Sequence, residues 1–201
     1  FINAQNLINI YFMTDKDFVK AYLNDFSSLI LPNEEITEKI ISIKNILLEI
    51  KKNNSKVMIF GNGGSAAIAS HVSIDLTKNA KIRSMNYNEA DLITCFSNDY
   101  GYDRWVEKTI EFYAESNDAL ILISSSGKSM NMVNACAAAK NKKISKVITL
   151  TGHEKNNPLS QLGDINLWIN SKAYNFIENT HQLWLLTACD LIIGKREYLP
   201  K

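Results

Sequence analysis

Three short, continuously apolar runs constrain the fold of this chain more than any other feature: VMIF at 57–60, ALILIS at 119–124 and KVITL at 146–150. They show no polar alternation and include several β-branched residues, which marks strands covered on both faces, as in a parallel sheet. Segments of helical periodicity separate them, over 65–78, about 104–115 and 129–142. The pattern continues with a strand INLWI at 165–169 and a helix over about 174–193, and a further strand is predicted at LITCF, 92–96. Repeated β–α units of this kind specify an α/β domain with a five-stranded parallel sheet and helices on both faces. Ahead of them, Phe18, Tyr22, Leu23, Phe26 and Leu29 recur at three- and four-residue spacing. After Pro32, Ile36, Ile40, Ile43, Ile46, Leu47 and Ile50 do the same. These stripes predict an N-terminal helical pair over 13–55, suited to packing on a partner subunit, followed by the α/β domain over 56–201. Residues 1–12 lack the basic start and cleavage site of a signal peptide, and they read as an extension or an expression remnant.

Composition narrows the function classes. The chain has 201 residues and balances 22 Lys+Arg against 21 Asp+Glu, so it lacks the charge excess of an electrostatic nucleic-acid binder. No apolar run reaches the roughly 18 residues of a membrane span. Cys95, Cys136 and Cys189 are odd in number and far apart, each in an apolar stretch. They read as buried free thiols in a reducing compartment, and the cytoplasm is the expected location.

The chemistry gathers in loops at strand ends. Gly61, Gly63 and Gly64, three of only eight glycines, fall in FGNGGSAAIASH, where the first strand runs into a helix. Glycines let the backbone approach a ligand there, and the free N–H groups of the helix start favour an anion near Ser65. The spacing is neither GxGxxG nor GxxxxGK[ST], so no dinucleotide or P-loop nucleotide is expected, and no organic cofactor. A second loop, Ser124-Ser125-Ser126-Gly127-Lys128-Ser129, follows ALILI and precedes another helix. Its hydroxyls are neutral donors at the carboxyl end of a parallel strand, where open α/β sheets bind ligands. A third polar cluster, Ser97-Asn98-Asp99-Tyr100-Gly101, follows the strand expected at 92–96. Three such loops fit a small phosphorylated ligand. His153, in the polar loop TGHEKNNP, reads as structural or solvated, and the Trp184–Leu191 run as core.

Taken together, GNGGS at 61–65, NDYG at 98–101, SSSGKS at 124–129 and VITLTG at 147–152 resemble the SIS (sugar isomerase) domain. Within that family the chain is similar to the sedoheptulose-7-phosphate isomerases, also called phosphoheptose isomerases, over about residues 15–193. The resemblance implies a three-layer αβα sandwich and a homotetramer with sites between subunits. It implies ketose–aldose isomerisation of a sugar phosphate through an enediol, supplying heptose for lipopolysaccharide, capsule or another surface glycan. Ser124, Ser125, Ser126 and Ser129 would hold the phosphate, and Asn62, Gly63, Gly64, Asn98 and Asp99 the sugar. Several members of the family bind zinc.

On the first helix of the domain His71 matches a zinc-ligand position of that family, and Asp75, four residues on, stands where a catalytic Glu belongs. On the last helix Glu178 replaces a Gln ligand, and Leu186 replaces the catalytic His. Glu178, His181 and Gln182 share a helix face, so His181 or Gln182 is expected to be recruited in its place. The expected set is therefore Asp75, Glu178 and His181 for acid–base work, with His71, Asp75 and Glu178 as a zinc site. The other reading is a non-catalytic SIS protein that binds a phosphosugar or serves as a protein scaffold, which the loss of His at Leu186 would permit.

Overall fold

The computed structural model describes residues 13–197, so the extension expected over 1–12 lies outside the described residues. The chain divides into two compact units, at Pro32 and Asn33. The described part of the first unit is helix α1, Asp15–Leu29, whose start is capped by Thr14 Oγ1 accepting from the backbone N–H of Asp17 at 3.2 Å. It buries no side chain; Phe18, Val19 and Leu23 are exposed.

The second unit opens with Asn33, whose side-chain oxygen accepts from Ile36 N at 2.9 Å and caps α2, Glu34–Lys52. The expected stripe on α2 is real, and Ile40, Ile43, Leu47 and Ile50 are buried. This helix belongs to the α/β body: the boundary expected at 55 falls at Pro32, because burial of that stripe ties α2 to the sheet unit.

The elements that follow are β1 (Val57–Gly61), α3 (Gly64–Lys78), β2 (Ser84–Asn86), α4 (Ala90–Tyr100), α5 (Trp105–Tyr113) and β3 (Ala119–Ser124). Then come α6 (Met130–Asn141), β4 (Lys146–Thr151), β5 (Ile165–Trp168) and α7 (Tyr174–Ile193). The sheet order is β2-β1-β3-β4-β5 and every pairing is parallel, with Ile59 opposite Ile121 and Ile121 opposite Ile148. Alternate residues of the strands face opposite layers. Met58, Phe60, Leu120 and Leu122 join Trp105, Val106 and Ile110 of α5 and Met132, Ala135 and Cys136 of α6 in one cluster. Phe60 stacks on Tyr87 at 5.7 Å and meets Trp105 edge-on at 5.9 Å. The other layer is α2, α3 and α7, with α7 packed against both of the others. The three-layer architecture is as expected.

One element differs from the sequence expectation. LITCF at 92–96 is not a strand but the middle of α4. Leu92, Ile93 and Phe96 lean on the core at helical spacing while Thr94 and Cys95 face out, a one-sided pattern that a buried strand would not show. The fifth strand is the three-residue β2, SMN, whose Met85 is exposed. Cys95 is accordingly an exposed thiol, against expectation, while Cys136 and Cys189 are buried. Burial pushes their thiols up to about 11 and about 12, the second with help from Asp75 and Asp190.

At the amino ends of β1 and β3 a buried ion pair clamps the sheet. Lys56 Nζ lies 2.6 Å from Asp118 Oδ2, and the same carboxylate accepts from Lys56 N at 3.0 Å and Glu115 N at 2.8 Å.

Candidate functional site

The chain leaves β1 toward β2 on one side and returns with β3 on the other, so the carboxyl ends of β1 and β3 diverge at the switch point of the sheet. Such a crevice is the natural ligand site of an open α/β fold. A pocket of about 120 Å³ sits there. Helices α3, α6 and α7 all contribute to it at their first turns, through Ser65, through Ser129 just ahead of Met130, and through Tyr174 with Glu178. Helix starts carry unpaired N–H groups and a partial positive charge, so an anion is favoured here without a resident cation.

The serine loop forms one wall. Ser124 and Ser125 are buried, and Ser124 Oγ pairs with Ser129 Oγ at 3.0 Å. Ser126 Oγ accepts from the backbone N–H of Lys128 at 3.2 Å. Gly127 makes this turn possible: its φ is +65°, and a Cβ would run into the side chain of Asn157. Ser125 Oγ is shut off from solvent and has no hydrogen-bond partner among the described residues. A buried orphan hydroxyl costs free energy unless something supplies its partner. Here it lines the pocket, as a site for an incoming oxygen would require.

The opposite wall comes from the glycine loop. Asn62 and Asn131 exchange reciprocal amide hydrogen bonds at 3.1 and 2.9 Å, fastening the loop after β1 to the start of α6. Tyr102 Oη donates to Asn62 Oδ1 at 3.0 Å. Gly63 is exposed at the turn, and Gly64 lies directly beneath the Glu178 carboxylate, which would collide with any Cβ there. Glu178 accepts no hydrogen bond from any described residue, so a pocket-facing carboxylate stands free. Farther along the α3–α7 seam, Gln182 Nε2 donates to His71 Nδ1 at 3.1 Å, which leaves the imidazole proton on Nε2, 3.7 Å from Asp75 Oδ2. Asp75 also accepts from Asn79 at 3.0 Å. Its charge helps raise the Cys189 thiol and the Asp190 carboxyl.

The expected residues thus separate. Asn62, Ser65, Ser124, Ser125, Ser126, Ser129 and Glu178 meet in one pocket, and His71 and Asp75 pair with each other one turn along. Zinc with N/O ligands needs them at about 2 Å. Among the described residues no three His, Cys, Asp or Glu side chains gather as a metal centre. Within one chain, then, His71, Asp75 and Glu178 do not gather as a zinc ligand set: Glu178 lines the serine pocket, while His71 and Asp75 pair with each other one turn along.

Two other expectations are corrected. His181 points into the core: it is fully buried, with Nε2 3.2 Å from the Thr151 carbonyl oxygen. Gln182, on the α3-facing side of α7, is the one of the two that reaches His71. Asn98 and Asp99 are exposed at the end of α4, hydrogen-bonded to each other at 2.9 Å, and do not line the pocket, since the segment before them is a helix and not a strand. Tyr102, three residues on, makes the contact with the glycine loop instead. Tyr174, Tyr102 and Asn131 were missed. Only Asn131 carried a signal, as a polar residue in the buried first turn of the helix after the serine loop.

Burial lowers the pKa of His181 from 6.5 to about 4, with the Thr151 carbonyl opposing the shift. Its Nδ1 has no partner, so a proton there would be buried and unpaired. Between pH 6.5 and about 4 the unfolded chain binds a proton that the folded chain refuses. This part of the stability is complete above pH 6.5 and is lost as pH falls toward 4, by about 3 kcal/mol. Urea titrations across this range should show that slope in the wild type and a flatter one in His181→Gln.

With the geometry in hand, comparison with known proteins is specific. The SIS domain family model matches residues 21–152. A phosphoheptose isomerase of Aliarcobacter butzleri is 33% identical over 180 residues, covering 87% of this chain and 94% of that protein. One from Helicobacter pylori is 31% identical over 186 residues, covering 90% of this chain and 96% of its own. Among solved structures, the phosphoheptose isomerase of Neisseria gonorrhoeae superposes with a TM-score of 0.82 at 27% identity, covering 89% of this chain and 99% of that one. That of Francisella tularensis gives 0.81 at 26%, covering 91% and 100%. Strand-end loops, sheet order and sequence all agree: the chain belongs to the SIS domain family and, within it, to the phosphoheptose isomerases.

Proposed function

We propose that this chain is a sugar-phosphate isomerase that interconverts a ketose of the sedoheptulose 7-phosphate kind and its aldose through an enediol. It would act as a cytoplasmic homo-oligomer, a tetramer with sites between subunits, supplying heptose for surface glycans. The observation that carries the reading is the orphan hydroxyl of Ser125, buried in a strand-end pocket that also holds an unpaired carboxylate. Ser124, Ser125, Ser126 and Ser129 receive the phosphate, helped by the starts of α3, α6 and α7. Exposed Ile74, Leu183 and Leu191 on α3 and α7 support an assembly in which a second copy covers this seam.

The reaction moves a proton between adjacent carbons while their oxygens exchange roles, so a base must stand beside the carbon-bound proton and a donor beside the oxygen. Glu178 is the base: its carboxylate is in the pocket, with no competing hydrogen bond, and Gly64 leaves it room to approach. His71, with its proton on Nε2 and Gln182 fixing the ring, is the donor at the oxygens, and Asp75 orients it. Zinc, where a subunit interface completes its ligand set, would polarise the sugar oxygens.

Ser125→Ala tests the phosphate role. Losing a hydroxyl donor to a charged group costs about 1.5–3 kcal/mol, so KM for the sugar phosphate should rise roughly 10- to 100-fold with kcat changed less. Since the wild-type hydroxyl is unpaired in the free protein, the folding midpoint should not fall. An unchanged KM would contradict the reading.

A further inference from the structure

His153 carries two local costs. Its φ is +52°, in the left-handed region that non-glycine residues avoid, and its Nε2 is buried with no hydrogen-bond partner. Such costs persist where the surroundings hold them, and they concentrate at functional sites. The surroundings here do hold the residue: its backbone N–H donates to the Ser171 carbonyl at 2.8 Å, and its own carbonyl accepts from Trp168 Nε1 at 3.3 Å. Just before it, the N–H of Gly152 donates to the carbonyl of Ser125 at 2.9 Å, so the loop after β4 is fastened to the phosphate loop after β3. Thus fixed, the imidazole meets the ring of Tyr174 in a T-shaped contact, centroids 5.3 Å apart.

Tyr174 is the first residue of α7 and lines the serine pocket, yet it is largely exposed and its hydroxyl has no hydrogen-bond partner among the described residues. An exposed tyrosine at a helix start would normally sample several rotamers, and immobilising it after ligand entry would weaken binding. Contact with a rigid neighbour removes that cost in advance. The ring also lines the pocket from α7, an element separate from the glycine and serine loops.

We propose that Tyr174 is a substrate-binding residue that donates its phenol proton to an oxygen of the bound phosphate, and that His153 is a positioning residue that holds the Tyr174 ring over the pocket. The inference rests on the phosphate reading of the serine pocket. It assigns the third histidine a role that depends on ring shape and not on proton transfer, and His153 touches no reacting atom.

The test measures sugar-phosphate kinetics together with competitive inhibition by inorganic phosphate, in the full chain. Tyr174→Phe keeps the ring contact and removes the hydroxyl; both KM and the phosphate inhibition constant should rise about 10-fold, with kcat nearly unchanged. His153→Asn keeps a residue that tolerates the left-handed backbone and removes only the ring. It should raise both constants about 3-fold, in line with the loss of one aromatic pair. Added to Tyr174→Ala, His153→Asn should change nothing further, because its effect passes through that ring. A phosphate inhibition constant unmoved by Tyr174→Phe would overturn the proposal, as would a His153→Asn effect that persists without Tyr174 or appears in kcat alone. Ser125→Ala serves as the control. If it weakens phosphate inhibition and Tyr174→Phe does not, this inference fails and the phosphate pocket stands. If neither variant moves it, the pocket reading has failed as well.

Discussion

Asp118→Ala is expected to destabilise the protein by about 3–5 kcal/mol, the range measured when one partner of a buried ion pair is removed. Asp118 has no exposed surface and satisfies three donors: the Lys56 ammonium, Lys56 N and Glu115 N. Without it the ammonium stays largely buried, with only Glu115 at 4.0 Å in a solvent-exposed position, and two backbone N–H groups lose their acceptor. Against a typical total of about 5–15 kcal/mol, this is a fifth or more of the stability of a domain this size. The clamp sits at the amino ends of β1 and β3, opposite the pocket, so surviving folded protein should keep its KM. Denaturant unfolding measures the loss, and a double replacement, Lys56→Met with Asp118→Leu, should recover much of it because no buried charge is left alone. A loss under 1 kcal/mol would mean that water reaches the pair.

The largest catalytic effect is expected from Glu178→Gln. The amide keeps the size and hydrogen-bonding reach of the side chain but cannot take a proton at neutral pH. If Glu178 is the base, kcat should fall by about 10²- to 10⁴-fold while KM moves little. The substitution is informative because the resemblance to the phosphoheptose isomerases implies a Gln metal ligand at this position. A residue needed only to coordinate would tolerate Gln, so retained activity would remove Glu178 from the proton transfer and return that role to Asp75. Stability should be unaffected, since the Glu178 carboxylate makes no hydrogen bond to a described residue.

The strands that form the sheet centre were legible because burial on both faces leaves a continuous apolar run, as in ALILIS. The edge strand was not, because three residues with an exposed Met85 carry no such run. LITCF, equally apolar in a short window, is helical because only Leu92, Ile93 and Phe96 meet the core, a distinction that depends on neighbours and not on composition. The strand-end loops that line the pocket were readable from local chemistry, as glycines and hydroxyls. The pairing along the α3–α7 seam was less so. His181 and Gln182 are adjacent in sequence, about 100° apart on the helix. That rotation sends one to the Thr151 carbonyl and the other to His71. Tyr174 and His153 meet only through the fold, 21 residues apart, and no spacing rule announces them.

The central claim, isomerisation through an enediol, is tested most directly by proton NMR of the purified protein with sedoheptulose 7-phosphate in deuterated water. A partly exposed carboxylate that carries the proton between carbons exchanges it with solvent during turnover. The account predicts new aldose signals with deuterium incorporated at carbon 2 of the product, abolished together in Glu178→Gln. No aldose with or without added zinc, or an aldose that retains its full complement of carbon-bound hydrogen, would contradict it.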